Sequence, residues 1–354
     1  MHLPLLLALS CCLGQPDITP RPFLSAMFER HAPEFYAVQA DMWGQLADEG
    51  CGDEAAWVYA YKYAQYANRE GGRTYDLDSI LVSAKSRGLR DDSFALNFLR
   101  AANTRDFTER AAHLKRAFRD RPGHHATYTG LTAHYEVTGQ DSLRDDMLQR
   151  INAAKPIPPA VMDYNYNQLN SVEHNAILLT YGDADTFPSW LLQAVYGQRT
   201  DVRVINWSLL AYADGYRETV SKELGLALPV ATDERALLDA LKRTGRPVYV
   251  GLGRDTAELP PDVADKLKVT GLAMRYGDSV RDNIAFLRNV YERVWRLERL
   301  RAPLADDMYQ RVADRLNGNY LVALDALRTD SADAEQSQAV EELMKALEAR
   351  AIGS

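Results

Sequence analysis

The 354-residue chain has only three cysteines, and two of them, Cys11 and Cys12, stand within its first dozen residues. Cys51 alone remains for the body, which excludes a disulfide scaffold and a zinc site built from several thiolates. In its setting, "GCGDE", Cys51 reads as a small residue in a turn before a helix rather than a reactive thiol. No Lys/Arg-rich block is present and the net charge is −8. This argues against a nucleic-acid partner, because backbone binding needs a concentrated cationic footprint. No apolar run reaches the length of a membrane span. His-x-x-x-His and His-x-x-Glu-His spacings are missing, so a catalytic zinc finds no support. A Gly-x-Ser-x-Gly elbow is missing too. "VGLGRDT" (250–256) carries Gly251 and Gly253 after a strand but lacks the third glycine and Lys-Ser/Thr pair of a phosphate loop.

What is present starts with "MHLPLLLALSCCLGQP". Its short apolar core, followed by small residues and a proline, predicts an export signal or lipoprotein leader over residues 1–16. The n-region has neither Lys nor Arg. Acylation at Cys12 would put Cys11 before the cut, and acylation at Cys11 would put Ala8 where Leu is usual. The expected location is periplasmic, or at the cell envelope through a lipid anchor that would be the only membrane contact. With 46% hydrophobic and 25% charged residues, the remainder reads as globular material sufficient for about two or three domains.

The spacing of apolar residues predicts a helical-repeat-like domain over 17–155. "EAAWVYAYKYAQYANREGG" places Trp57, Tyr61 and Ala64 on one face and stops at Gly71-Gly72. "RAAHLKRAFRDRP", "ATYTGLTAHYEVTGQ" and "LRDDMLQRIN" resemble tetratricopeptide helix pairs without a clean 34-residue period. The aromatic sets Trp57/Tyr61, Tyr59/Tyr63/Tyr66 and Tyr291/Trp295 read as packing between helices, with aromatic sugar platforms as the alternative. The proline-rich "AAKPIPPAVMDYNYNQLN" reads as a connector. An α/β domain over 165–279 follows, with strands expected in "NAILLTY", "DVRVINWSLL", "RPVYVGLG" and "GLAMRYG" and helices between them. Residues 280–354 read as a further helical region. The fold class expected is α/β plus all-α: a small, mostly parallel, doubly wound sheet flanked by tetratricopeptide-like helical hairpins.

The segment "NAILLTYGDADTFPSWLLQAVYGQRTDVRVINWSLL" (175–210) resembles the soluble C-terminal part of bacterial multi-spanning, protein O-mannosyltransferase-like membrane proteins. The residues that carry the likeness run from Gly182, Asp183, Asp185, Thr186, Phe187 and Pro188 through Arg199–Val204 to Asn206, Ser208, Leu209 and Leu210. "LKVTGLAMRYG" (267–277) resembles a later strand of the same part. Transfer chemistry in such proteins would belong to their membrane half. The resemblance therefore implies a fold and a cellular side, not an activity.

The chemistry expected of the α/β domain gathers at "GDADT", at the carboxyl end of the first strand, where open α/β sheets bind ligands. One reading has Asp183 and Asp185 as ligands of a divalent cation (Mg, Mn or Ca), with Thr186 as a further oxygen. The other has Asp185 or Thr186 capping the following helix and Asp183 stabilising the turn after Gly182. Arg199 would steer an anion beside that turn, or pair with Asp201 on the surface. Asn206 and Ser208 would line the same edge, or form turns. The expected function is an exported binding or accessory protein with a protein or glycan partner at the cell envelope. A metal-assisted transferase or hydrolase acting on a carbohydrate or phosphorylated substrate is the alternative.

Overall fold

The computed structural model describes residues 19–22, 25, 27–50, 53–154, 157–213, 215–253, 258–277, 283–302, 308–330 and 334–353. The leader, Cys51, and residues 254–256 of the glycine-containing loop lie outside the described residues. The chain divides into two compact units between His134 and Tyr135.

Among the described residues of unit 1 the regular elements are all helices. Its helices are α1 (Pro33–Asp48), α2 (Ala55–Arg69), α3 (Leu77–Ser86), α4 (Phe94–Asn103) and α5 (Phe107–Asp120), then a short 3-10 turn and most of α6 (Tyr128–Val137). Helix starts follow capping chemistry. Asp76, Ser93 and Asp106 each accept a backbone N–H of the first turn. Neighbouring helices pack in pairs, α1 on α2 and α4 on α5, as a repeat-like array requires. The aromatic stripe of α2 lies inside this packing. Trp57, Tyr59, Tyr61 and Tyr63 are buried. Tyr59 meets Trp43 at 4.8 Å between ring centroids, and Tyr66 stacks on Tyr36 at 5.6 Å.

Unit 2 holds the sheet. α7 (Asp141–Ala154) and α8 (Pro159–Asn170) precede β1 (Ile177–Thr180), α9 (Asp183–Tyr196) and β2 (Arg203–Asn206). Next come α10 (Trp207–Tyr212), α11 (Tyr216–Leu224), α12 (Glu234–Lys242) and β3 (Val248–Gly251). The one-turn α13 (Pro261–Ala264) leads to β4 (Leu267–Val269) and β5 (Ala273–Tyr276). Finally α14 (Asn283–Arg293), α15 (Glu298–Arg301), α16 (Met308–Asp330) and α17 (Ala334–Gly353) close the chain.

The strand order is β2-β1-β3-β5-β4, with β1 parallel to both β2 and β3 and the β3–β5 and β5–β4 pairs antiparallel. The sheet is thus mixed, not mostly parallel. The expected fourth strand is a hairpin arm: three residues separate β4 from β5, too few for a parallel crossover. β1 and β3 are buried along their whole length, as their continuous apolar runs require.

One segment differs from expectation. The presumed connector is helix α8, opened by Pro159 at its first position, where a missing N–H costs nothing. The C-terminal region is helical, as expected, and shares a core with α8 and the sheet. Tyr164 of α8 and Leu272 share one apolar cluster with Leu287, Tyr291, Trp295, Tyr320 and Leu324. Glu136, fully buried, fixes the start of β2. It pairs with Arg203 at 2.9 Å and Arg144 at 2.6 Å, and accepts the Tyr216 hydroxyl proton at 2.6 Å.

Candidate functional site

The turn after β1 is built around Asp185. Helix α9 starts at Asp183, one full turn before Pro188, so Asp185 occupies its third position. Its Oδ1 accepts the N–H of Gly182 at 2.7 Å and its Oδ2 that of Tyr181 at 3.0 Å. This is half of a capping box, because Gly182 has no side chain to return a bond. Burial pushes the Asp185 carboxyl up to about 6; the two amide bonds oppose this and the neighbouring Asp183 charge adds to it. Asp183 itself is exposed on the first turn.

Pro188 falls inside the helix and cannot donate to the carbonyl of Ala184. Asn165 of α8 replaces it: Nδ2 reaches the Ala184 carbonyl at 2.8 Å, while Oδ1 accepts the Ser189 hydroxyl at 2.9 Å. A helix with an early internal proline is therefore held by an amide from its neighbour.

Thr186 points under the strands. Its hydroxyl lies 2.7 Å from that of Thr180 and accepts from Asn206 Nδ2 at 2.9 Å. Asn206, opposite Thr180 in the β1–β2 register, also caps α10 by accepting the Leu209 N–H at 2.8 Å. The Ser208 hydroxyl donates to the Tyr181 carbonyl at 2.8 Å. Gly182, Asp183, Asp185, Thr186, Asn206 and Ser208 thus share one edge of the sheet.

Arg199 does not join them. It precedes β2 and works at the amino end of the strands, on the loop between α8 and β1. Its guanidinium donates to the carbonyls of Leu169 at 2.7 Å and Glu173 at 2.9 Å, and to Asp201 at 3.0 Å. Burial alone would raise the Asp201 carboxyl, but Arg199 and the Asn175 amide hold it down to about 2. Arg199 is a clamp on carbonyls, with no reach to the acidic turn.

The donor set does not fit a closed divalent cage. Such a cation takes six or more oxygens, whereas each Asp185 oxygen already accepts an amide and Thr186 is engaged in the interior. Among the described residues no group of three or more His, Cys, Asp or Glu side chains is placed to hold a metal ion. Among them, too, no helix is long and apolar enough to cross a membrane.

Residues 161–230 match the family model of TMEM260-associated domain 2. At a coarse level this segment is TMEM260-like, in line with the O-mannosyltransferase-related resemblance. The match spans α8 to α11 and so includes the acidic turn and the β1–β2 pair. No curated protein and no solved structure matches the chain.

Two contributors at this edge carried no functional signal in the sequence: Asn165 and Gln168, both fully buried on α8. Amides at positions i and i+3 of a segment opened by proline were the available cue.

Proposed function

We propose that this chain is an exported binding or accessory component of the cell envelope, in which the TMEM260-like segment frames a recognition edge and not a reaction centre. The finer kinship, to the soluble part of O-mannosyltransferase-like membrane proteins, belongs to this proposal, as do the leader and its lipid anchor. The observation that carries it is the double use of Asp185. A carboxylate that closes its own turn through both oxygens is a poor ligand for a catalytic cation, and Asp183 is left on the exposed first turn.

The test is a thermal-shift titration of the whole protein with Mg²⁺, Mn²⁺ and Ca²⁺, beside Asp183→Ala. No cation-specific rise in melting temperature is expected in either form. A rise in the parent protein that Asp183→Ala abolishes would restore the metal-assisted transferase or hydrolase.

A further inference from the structure

We propose that the crevice between the carboxyl ends of β1 and β3 binds a small neutral hydroxyl-rich ligand, of monosaccharide size, through the Asp185 carboxylate and the Gln168 amide. The inference rests on the recognition reading above and gives it a ligand class.

The strand order puts a switch point between β1 and β3, where such a crevice opens in α/β sheets. From β1 the chain passes to β2 on one side, while β3 lies on the other. Where the order reverses in this way, the connections at the carboxyl ends diverge. Glycines form both walls. A methyl group at Gly253 would stand 2.9 Å from Asp185 Oδ2, and one at Gly182 would stand 3.5 Å from Oδ1. Both glycines are exposed. The buried carboxylate therefore lies immediately under two positions that carry no side chain.

Gln168 borders Gly251, two residues before Gly253 at the end of β3. A methyl group at Gly251 would stand 2.9 Å from its Nε2. Gln168 is wholly buried, and its Oε1 accepts no hydrogen bond from any described residue. Its Nε2 makes one long bond, 3.4 Å, to the Leu272 carbonyl. A buried amide with an idle acceptor and a weakly engaged donor calls for a partner.

The character of these groups selects that partner. An anion is repelled by Asp185 and Asp183. A divalent cation lacks oxygens and meets the amide N–H₂ of Gln168. A hydroxyl both donates and accepts, so adjacent hydroxyls can donate to Asp185 and to Gln168 Oε1 while accepting from Nε2.

The test is saturation-transfer NMR on the full chain with glucose, mannose, galactose and N-acetylglucosamine at millimolar concentration. Transfer to at least one sugar is expected. It should weaken at least tenfold in Gly253→Ala, whose added methyl closes the gap over Asp185, with the melting curve otherwise preserved. Gln168→Met, of similar size and without the amide, should weaken it likewise and decides the matter if Gly253→Ala does not fold. No transfer to any sugar, or transfer undiminished in the folded variants, overturns the inference. Failure here without a metal response leaves the recognition reading standing; a cation response that depends on Asp183 removes that reading itself.

Discussion

At Asn165 one side-chain amide stands in for a backbone donor that proline cannot supply. Asn165→Ala should leave the Ala184 carbonyl without that donor and the Ser189 hydroxyl with only the Asp185 carbonyl, at a loss of about 1–3 kcal/mol in urea unfolding. Pro188→Ala restores the helical N–H, so the double variant should recover part of that loss, a coupling that a double-mutant cycle reads directly. Asp185 makes a second prediction. Its folded carboxyl titrates near 6, above the ordinary aspartate value. Between these values the folded state holds a proton that the unfolded chain has released, so this residue makes stability rise as pH falls through 6 toward 4. The gain is up to about 3 kcal/mol. It should be missing from Asp185→Asn when the two stability–pH profiles are subtracted; identical profiles would refute the burial argument.

Among elements, β2 depends most on charge. Arg203 at its start is held by the buried Glu136, which also takes Arg144 and the Tyr216 hydroxyl. Burial opposes ionisation of Glu136, but Arg203 and Arg144 outweigh it and hold the carboxyl below its usual value. Its contribution is therefore complete above the unfolded glutamate value and fades as pH falls through the depressed one. Glu136→Gln should cost about 1–3 kcal/mol, because it removes a buried charge-assisted pair while Arg203 keeps Glu223 and Arg144 keeps Asp145. Loss of under 1 kcal/mol in chemical unfolding at neutral pH would show that water already screens the pair. Helix α8 carries the opposite lesson. Its prolines and polar residues suggested a connector. The structure uses Asn165 as a tie to α9, Asn167 as a tie to the Arg296 carbonyl and the Tyr320 hydroxyl, and Tyr164 as core.

For the whole molecule, the question is which parts unfold together. The C-terminal helices could have been a region apart, yet Leu324 of α16 is fully buried in the cluster that includes Tyr164 and Leu272. Leu324→Ala should cost about 3–5 kcal/mol, as for other fully enclosed leucines. The loss should appear equally in helix circular dichroism and in the fluorescence of a background in which Trp43, Trp57 and Trp295 are replaced by phenylalanine, leaving Trp190 and Trp207 beside β2 as reporters. A fluorescence transition that stays in place would make the C-terminal helices an independent unit.

Most helices, the three parallel strands and the gathering of Gly182, Asp185, Thr186, Asn206 and Ser208 at one edge were legible in the residues alone. Periodicity, caps and strand-end turns are local properties, and a parallel strand delivers its following turn to a known end of the sheet. Packing in three dimensions was needed to see that β4 and β5 run antiparallel, that Arg199 serves the far end, and that Asp185 closes its own turn. Those outcomes depend on which backbone groups would otherwise be buried without a partner. Such groups become visible only once the chain has packed, when an arginine finds the carbonyls of 169–173 and an asparagine finds the gap left by a proline.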